Sequence, residues 1–307
     1  MENHPNWVFA FPLPVGYDRP SGPDALFEFV KNKVFLFLDL EPGLSGMLGT
    51  ETVRNRANRR ERDRKGVGNG LSRGSTGWRV NSNQLKLIAV AAMLVDHAAV
   101  VFAPEDFPGL WLLRLVGRMT APIMCYLIAE GYFHTHNLKR YMGRLFLMGL
   151  VSHVPHNLCM GYDLLAFWEA TDVMFSLLLG LAALAIWERE GPALWQKGLL
   201  IGLCCLAAYS ADWNYIAVLW ILGFGMFRGS PALQMAAFSL VGALYLLQPL
   251  VYGTSFPYIS RLGIFLVIPL LLRYNGQRGR RSRLIQWGFY WFYPVHLLVL
   301  YLLGRVV

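Results

Sequence analysis

The chain has 307 residues, of which 55% are hydrophobic and 15% charged, with a formal net charge of +9. A soluble domain carries about 25% charged residues, so this composition argues against an ordinary water-soluble protein and leaves the class to the distribution of apolar residues along the chain. Cys125, Cys159, Cys204 and Cys205 all lie inside apolar runs; they offer neither a disulfide framework nor a zinc-ligand spacing and read as small buried hydrophobes, so no metal is expected.

Residues 1–80 read as a poorly defined cytosolic N-terminal extension. The start, residues 1–11, is rich in proline and has no basic segment leading into an apolar one, so no signal peptide is expected. The stretch 27–40 carries Phe, Val and Leu in a pattern that suits a short amphipathic helix or a strand equally. Residues 46–80, rich in Gly, Arg, Asn and Ser, read as a basic flexible linker. No aromatic residue interleaves the arginines of 54–65. Anionic lipid is therefore the expected neighbour of this stretch, and nucleic acid is not an expected partner.

Residues 81–307 read as a membrane domain. A helix needs about 20 residues to cross a hydrocarbon core of roughly 30 Å. Nine apolar runs come near that length, at 85–103, 110–131, 143–160, 171–187, 193–210, 213–227, 232–250, 258–274 and 285–304. They lack the strict alternation of barrel strands, and lipid forbids unpaired backbone, so the expectation is an all-α polytopic membrane protein with about nine transmembrane helices.

Loop charge sets the orientation, because Lys and Arg stay on the cytosolic side. Seven Lys/Arg fall within 54–65, ahead of the first run, and five arginines within 273–283. Lys139, Arg140 and Arg144 mark the turn after the second run, and Arg228 the turn after the sixth. The intervening loops carry only Glu105 and Asp106, or Asp163 and Glu169. These signs place the N-terminus in the cytosol and the C-terminus on the opposite side of the membrane after nine crossings.

Ionisable groups within the runs are the candidates for function, because each charge at the bilayer centre costs about 3 kcal/mol. Asp96 and His97 lie eleven and twelve residues into the first run, at a depth of about 16 Å. Lys86 lies at its cytosolic end, where its amine reaches water. Arg114 and Arg118 are four apart on one face of the second run and need a carboxylate between them, for which Asp96 is the natural partner. Glu130 and His134 share a face at its cytosolic end. His153 and His156 flank Pro155 and read as an interfacial pair, Asp172 and Asp212 as helix caps. His296, mid-run after Pro294, reads either as a satisfied core residue or as a second cavity group.

The ordered motifs resemble the TraX family of membrane acetyltransferases, known for acetylating the N-terminus of conjugative pilin. They are Asn83-Gln84-Leu85-Lys86-Leu87-Ile88-Ala89 leading to Met93-Leu94-Val95-Asp96-His97, then Arg114-Leu115-Val116-Gly117-Arg118, Pro122, Glu130-Gly131-Tyr132-Phe133-His134-Thr135, Leu138-Lys139-Arg140-Tyr141 and Ser152-His153-Val154-Pro155, ending with Phe289-Tyr290-Trp291-Phe292-Tyr293-Pro294-Val295-His296-Leu297-Leu298.

The resemblance covers about residues 81–307. It implies an integral membrane N-acetyltransferase that takes acetyl-CoA as donor, with a pilin subunit or another membrane-associated protein as acceptor. On that footing His97 is the expected general base, Asp96 holds an arginine or the amine, and Arg114 or Arg118 meets the oxyanion. An acetyl-histidine intermediate stays open. Glu130, His134, Lys139, Arg140, Arg144, Arg278, Arg280, Arg281 and His296 form the expected binding set, the cations for the phosphates of the donor. Two other classes stay open, a proton-coupled transporter or channel and a structural assembly factor of a conjugation or secretion system.

The charge pattern generates a direct test. A topology reporter fused after Val307 is expected to behave as periplasmic and one at Arg280 as cytosolic; cytosolic behaviour of both would mean that a crossing has been miscounted.

Overall fold

The computed structural model describes residues 78–104, 106–163, 171–252, 258–280 and 282–306. The segment 27–40 and nearly all of the basic linker fall outside the described residues. Those described are helical, with no strand among them.

The first helix, α1 (Ser82–Phe102), starts three residues ahead of its apolar run because a capping box fixes its end. The Asn81 side chain accepts from the Gln84 N–H at 3.0 Å and the Gln84 side chain accepts from the Asn81 N–H at 2.9 Å, which satisfies two otherwise orphaned donors. The second run, expected as one helix, is two: α2 (Leu110–Gly117) and α3 (Thr120–His134). The break at Arg118–Met119 lies where neighbours press closest. A Cβ on Gly117 would overlap the Asp96 side chain, and one on Gly263 would overlap the Leu115 carbonyl. Between these contacts the turn tightens, the Met119 N–H bonding the Val116 carbonyl at 3.1 Å.

Helix α4 (Leu138–Met160) begins at Asn137, which caps the Arg140 N–H, and ends on Gly161 at φ 74°. Three shorter apolar helices follow, α5 (Val173–Trp187), α6 (Leu194–Ala207) and α7 (Asn214–Met226), then α8 (Pro231–Tyr252). The eighth run, expected as a single helix, is composite: α9 (Tyr258–Arg261), a 3₁₀ stretch Leu262–Val267, and α10 (Ile268–Leu272). Helix α11 (Arg283–Gly304) closes the bundle.

The turns fall into two ends. Parallel bridges join Val80 to Tyr274 and Thr171 to Ala211, each pairing two connections that an up-and-down order of nine helical segments brings to the same end. Among the described residues four segments are long and apolar enough to cross a membrane: Ser82–Phe102, Leu110–His134, Pro231–Pro249 and Gln286–Gly304. The helices α5, α6 and α7 and the composite segment are apolar but shorter.

Packing is inverted relative to a soluble protein. Leu206 and Leu240 are 72% and 70% exposed, while Arg114, His153 and Asp172 are 4%, 1% and 0%. Water would invert both sets, so the outer surface is suited to hydrocarbon. At the centre α5 and α7 pack through Gly180 against Ile221 and Gly225 against Leu184. Helix α6 packs closely only against that pair and buries Cys204, with Leu200 turned inward and Leu194, Leu199, Leu203 and Leu206 exposed.

The backbone contact at Gly263 has a measurable consequence. Gly263→Ala is expected to lower stability by about 1–3 kcal/mol, because the Leu115 carbonyl must shift. Gly143→Ala, whose added Cβ meets nothing within 4 Å, is expected to be neutral or mildly stabilising. Thermal unfolding of the detergent-solubilised protein checks both.

Candidate functional site

The polar residues of the bundle gather at two poles. The first lies towards the outer ends of α1 and α11. His97 Nδ1 sits 2.7 Å from His296 Nε2, with the rings nearly parallel at 15°. His296 Nδ1 lies 2.8 Å from the Phe292 carbonyl oxygen. A carbonyl only accepts, so His296 Nδ1 carries a proton and donates it. In the neutral ring His296 Nε2 is then an acceptor, and His97 Nδ1–H must donate to it. The proton positions follow in sequence from one carbonyl, and they leave His97 Nε2 with its lone pair available. The Phe292 ring, stacked at 4.5 Å and 9°, holds the His296 plane in place.

Beside this pair stands the ion pair of Arg114 and Asp96, Nη1 to Oδ1 at 2.9 Å. It exists because Gly117 has no side chain where Asp96 lies. Arg118, also buried, faces the Trp213 ring at 5.5 Å and is attracted by both Asp96 and Asp212. Trp213 and Asn214 have positive φ, 62° and 36°. A bulky aromatic is rarely tolerated in that region. Here Asp212 accepts from the Trp213 N–H at 3.1 Å and Tyr245 stacks on the indole at 5.1 Å.

Helix α4 adds a third wall. His153 and His156, expected as an interfacial pair, are instead buried, because Asn157 on the same turn satisfies both. Its amide lies 3.2 Å from His153 Nε2, its carbonyl oxygen 3.1 Å from His156 Nδ1, and its amide also donates to the Asp163 carbonyl at 2.9 Å. Asp172 caps α5 by accepting from the Met174 N–H at 3.1 Å. Among the described residues no three His, Cys, Asp or Glu side chains form a group able to hold a metal.

The second pole lies at the inner ends. Glu130 accepts from Arg228 Nε at 2.9 Å and meets His134 Nε2 at 3.4 Å, and the Arg228 guanidinium covers the Phe133 ring at 4.6 Å. Lys139, Arg140 and Arg144 open α4 nearby in sequence, Arg144 Nε donating to the Tyr290 hydroxyl at 3.5 Å. Arg278 donates to Gln286 at 3.5 Å, and the Arg280 carbonyl accepts from Asn83 at 2.9 Å. Arg281 lies outside the described residues.

The structure therefore divides the residues singled out in the sequence. Asp96, His97, Arg114 and Arg118 come together. His296, grouped in the sequence with the donor-binding cations, joins them. Glu130 lies twelve residues beyond Arg118, about 18 Å along α3, so it and its cationic neighbours form a separate inner site. Arg228, read from the sequence as a topology marker alone, is the partner of Glu130. Trp213, Tyr245 and Asn157 drew no attention in the sequence, since a strained tryptophan and a bridging amide have no local signature.

A bundle of helices with an apolar exterior, a bridged histidine pair and a buried arginine–aspartate pair defines a helical protein of the kind suited to a membrane, with polar groups sheltered inside it. Within that class the chain belongs to the TraX family: residues 81–304 match the family described as TraX protein. It is 32% identical over 228 residues to the probable fimbrial assembly protein FimC, serogroup H1, of Dichelobacter nodosus, covering 71% of this chain and 93% of that one. It is 21% identical over 148 residues to the uncharacterized protein RP591 of Rickettsia prowazekii (strain Madrid E), covering 46% and 53%. No solved structure matches.

The buried ion pair predicts a clear asymmetry. Asp96→Asn is expected to destabilise the protein by about 3–5 kcal/mol, since Arg114 then keeps its charge and loses the carboxylate bonded to its guanidinium. The double variant Asp96→Asn, Arg114→Gln is expected to recover part of that loss. Melting temperatures of the two variants and the wild type test it, and strict additivity of Asp96→Asn with Arg114→Gln alone would disprove the coupling.

Proposed function

We propose that this protein is a multi-pass membrane acetyltransferase that moves the acetyl group of acetyl-CoA to an acceptor amine, the N-terminus of a pilin subunit being the foremost candidate. The observation that carries the reading is the relay from the Phe292 carbonyl through His296 to His97, which leaves His97 Nε2 as a proton acceptor beside two buried arginines. Membership of the TraX family and the similarity to a fimbrial assembly protein support a pilus or conjugation context. The up-and-down order of the helical segments and the basic inner turns support nine crossings of the inner membrane, N-terminus in the cytosol and C-terminus outside.

The chemistry follows from the geometry. The neutral amine attacks the thioester carbonyl carbon while His97 Nε2 takes one N–H proton. The carbonyl electrons move onto oxygen, and Arg114 and Arg118 are the cations nearest to stabilise that charge. Collapse of the tetrahedral intermediate breaks the C–S bond, and the departing sulfur receives the proton from His97 Nε2. His296 acts as a positioning residue, keeping the His97 proton on Nδ1 throughout.

Supplying purified protein with labelled acetyl-CoA and pilin-derived N-terminal peptides tests the reading. His97→Gln is expected to lower kcat by about 10²–10⁴, the usual worth of acid–base catalysis, with its melting temperature little changed. His296→Gln retains a carbonyl acceptor for His97 Nδ1–H and is expected to be milder than His296→Ala. Near-normal transfer by a stably folded His97→Gln protein would sink the general-base role.

A further inference from the structure

Among the described residues, the cations Lys86 and Arg278 lie close to each other at the N-terminal ends of α1 and α11. Lys86 lies partly buried on α1, its ammonium 5.5 Å from the centre of the Phe289 ring on α11. Arg278 stands close enough to repel it and is tied to Gln286 on α11. Glu130, the carboxylate at this end of α3, is engaged by Arg228 and His134. Lys86 is partly buried and Arg278 exposed, and the repulsion between two such like charges is relieved when an anion joins them.

Arg278 does not hang on a loose loop. The segment 273–280 is strapped to the start of α1 by backbone bonds, Val80 N–H to the Arg273 carbonyl at 3.0 Å, Asn275 N–H to the Val80 carbonyl at 2.9 Å and Ser82 N–H to the Gln277 carbonyl at 2.9 Å. The Asn83 amide adds the bond to the Arg280 carbonyl. Gly279, at φ 83°, lets the strap lie against Asn81, where a Cβ would come within 2.9 Å of Oδ1. The strap therefore fixes the backbone that carries Arg278 against the start of α1.

The seam between α1 and α11 then has matching walls. Lys86 and His97 are eleven residues apart on α1, about 16 Å, and Gln286 and His296 are ten apart on α11, about 15 Å. Phe289 and His296, at i and i+7, share one face of α11 and meet Lys86 and His97 on α1. We infer that this seam is the donor site: Lys86 and Arg278 hold the phosphates of acetyl-CoA, and the slim pantetheine arm runs along α1 and α11 to present the thioester to His97. This inference rests on the acetyltransferase reading and adds where the donor lies and which cations select it.

The test compares acetyl-CoA with acetyl-pantetheine, which carries the same thioester without the nucleotide phosphates. Lys86→Gln and Arg278→Gln are each expected to raise KM for acetyl-CoA about tenfold with kcat little changed, the pattern of lost uniform binding. The preference for acetyl-CoA over acetyl-pantetheine is expected to fall by the same factor, and Lys86→Arg to retain most of it. Binding of coenzyme A itself to the detergent-solubilised full chain, followed by equilibrium dialysis, is expected to weaken in parallel. Active variants with unaltered KM and unaltered preference would overturn the seam while leaving the acetyltransferase reading intact. Wild-type protein that transfers no acetyl group yet binds coenzyme A through Lys86 and Arg278 would overturn that reading and leave the seam, and wild type that does neither overturns both.

Discussion

Arg114 never meets water, and that one constraint reaches through much of the fold. A guanidinium cannot shed its charge, so its burial requires a carboxylate, which Asp96 supplies at 2.9 Å. Asp96 reaches it only by lying where a side chain on Gly117 would be. The helix that carries Arg114 ends at Gly117 and restarts at Thr120. On its other side the Leu115 carbonyl rests on Gly263, and there the eighth segment tightens into a 3₁₀ stretch. His97, one residue on and about 100° around α1, meets His296 on α11 through its Nδ1.

What the sequence made legible was whatever depends on short-range pattern. The apolar runs locate the helical segments to within a few residues, because twenty apolar residues have few other fates. The pairing of Asp96 with an arginine four residues from another was also within reach, since two buried like charges demand a carboxylate. The ordered motifs pointed to the TraX family that residues 81–304 match. The break at Arg118–Met119 and the 3₁₀ stretch Leu262–Val267 were not legible. Both segments are as apolar as their neighbours, and both departures stem from backbone contacts between elements distant in sequence. The bridge from His97 to His296 spans 199 residues, and no local pattern separates a histidine that bridges from one that merely packs. Trp213 shows the same limit: its positive φ is imposed by the Asp212 bond and the Tyr245 ring, not by its own preference.

The short helices bear on where chemistry can occur. Helices α5, α6 and α7, with 15, 14 and 13 residues, extend about 20–22 Å, well short of a hydrocarbon core of roughly 30 Å. In a membrane, the connections around Thr171 and Ala211 would lie at a depth where exposed backbone is costly, and such backbone survives only when protein surrounds it. The structure meets that requirement. Thr171 and Ala211 are 1% and 4% exposed and pair through the Thr171 N–H to Ser210 and the Asp212 N–H to Thr171 bonds, at 2.9 and 2.8 Å.

The same shortness has a functional consequence. It leaves the outer third of the bundle filled by Asp172, Asp212, His156 and Asn157 where longer helices would have placed leucines. Polar groups at that depth cannot be relieved by water, so each must find its partner in the protein, and the Asn157 bonds and the α5 cap are those partners. The site at His97 borders this preorganised polar zone on its outer side and the α1–α11 seam on its inner side. Its neighbours cannot easily rearrange without exposing an unpaired group. The same rigidity holds the bridge from His97 to His296 in place.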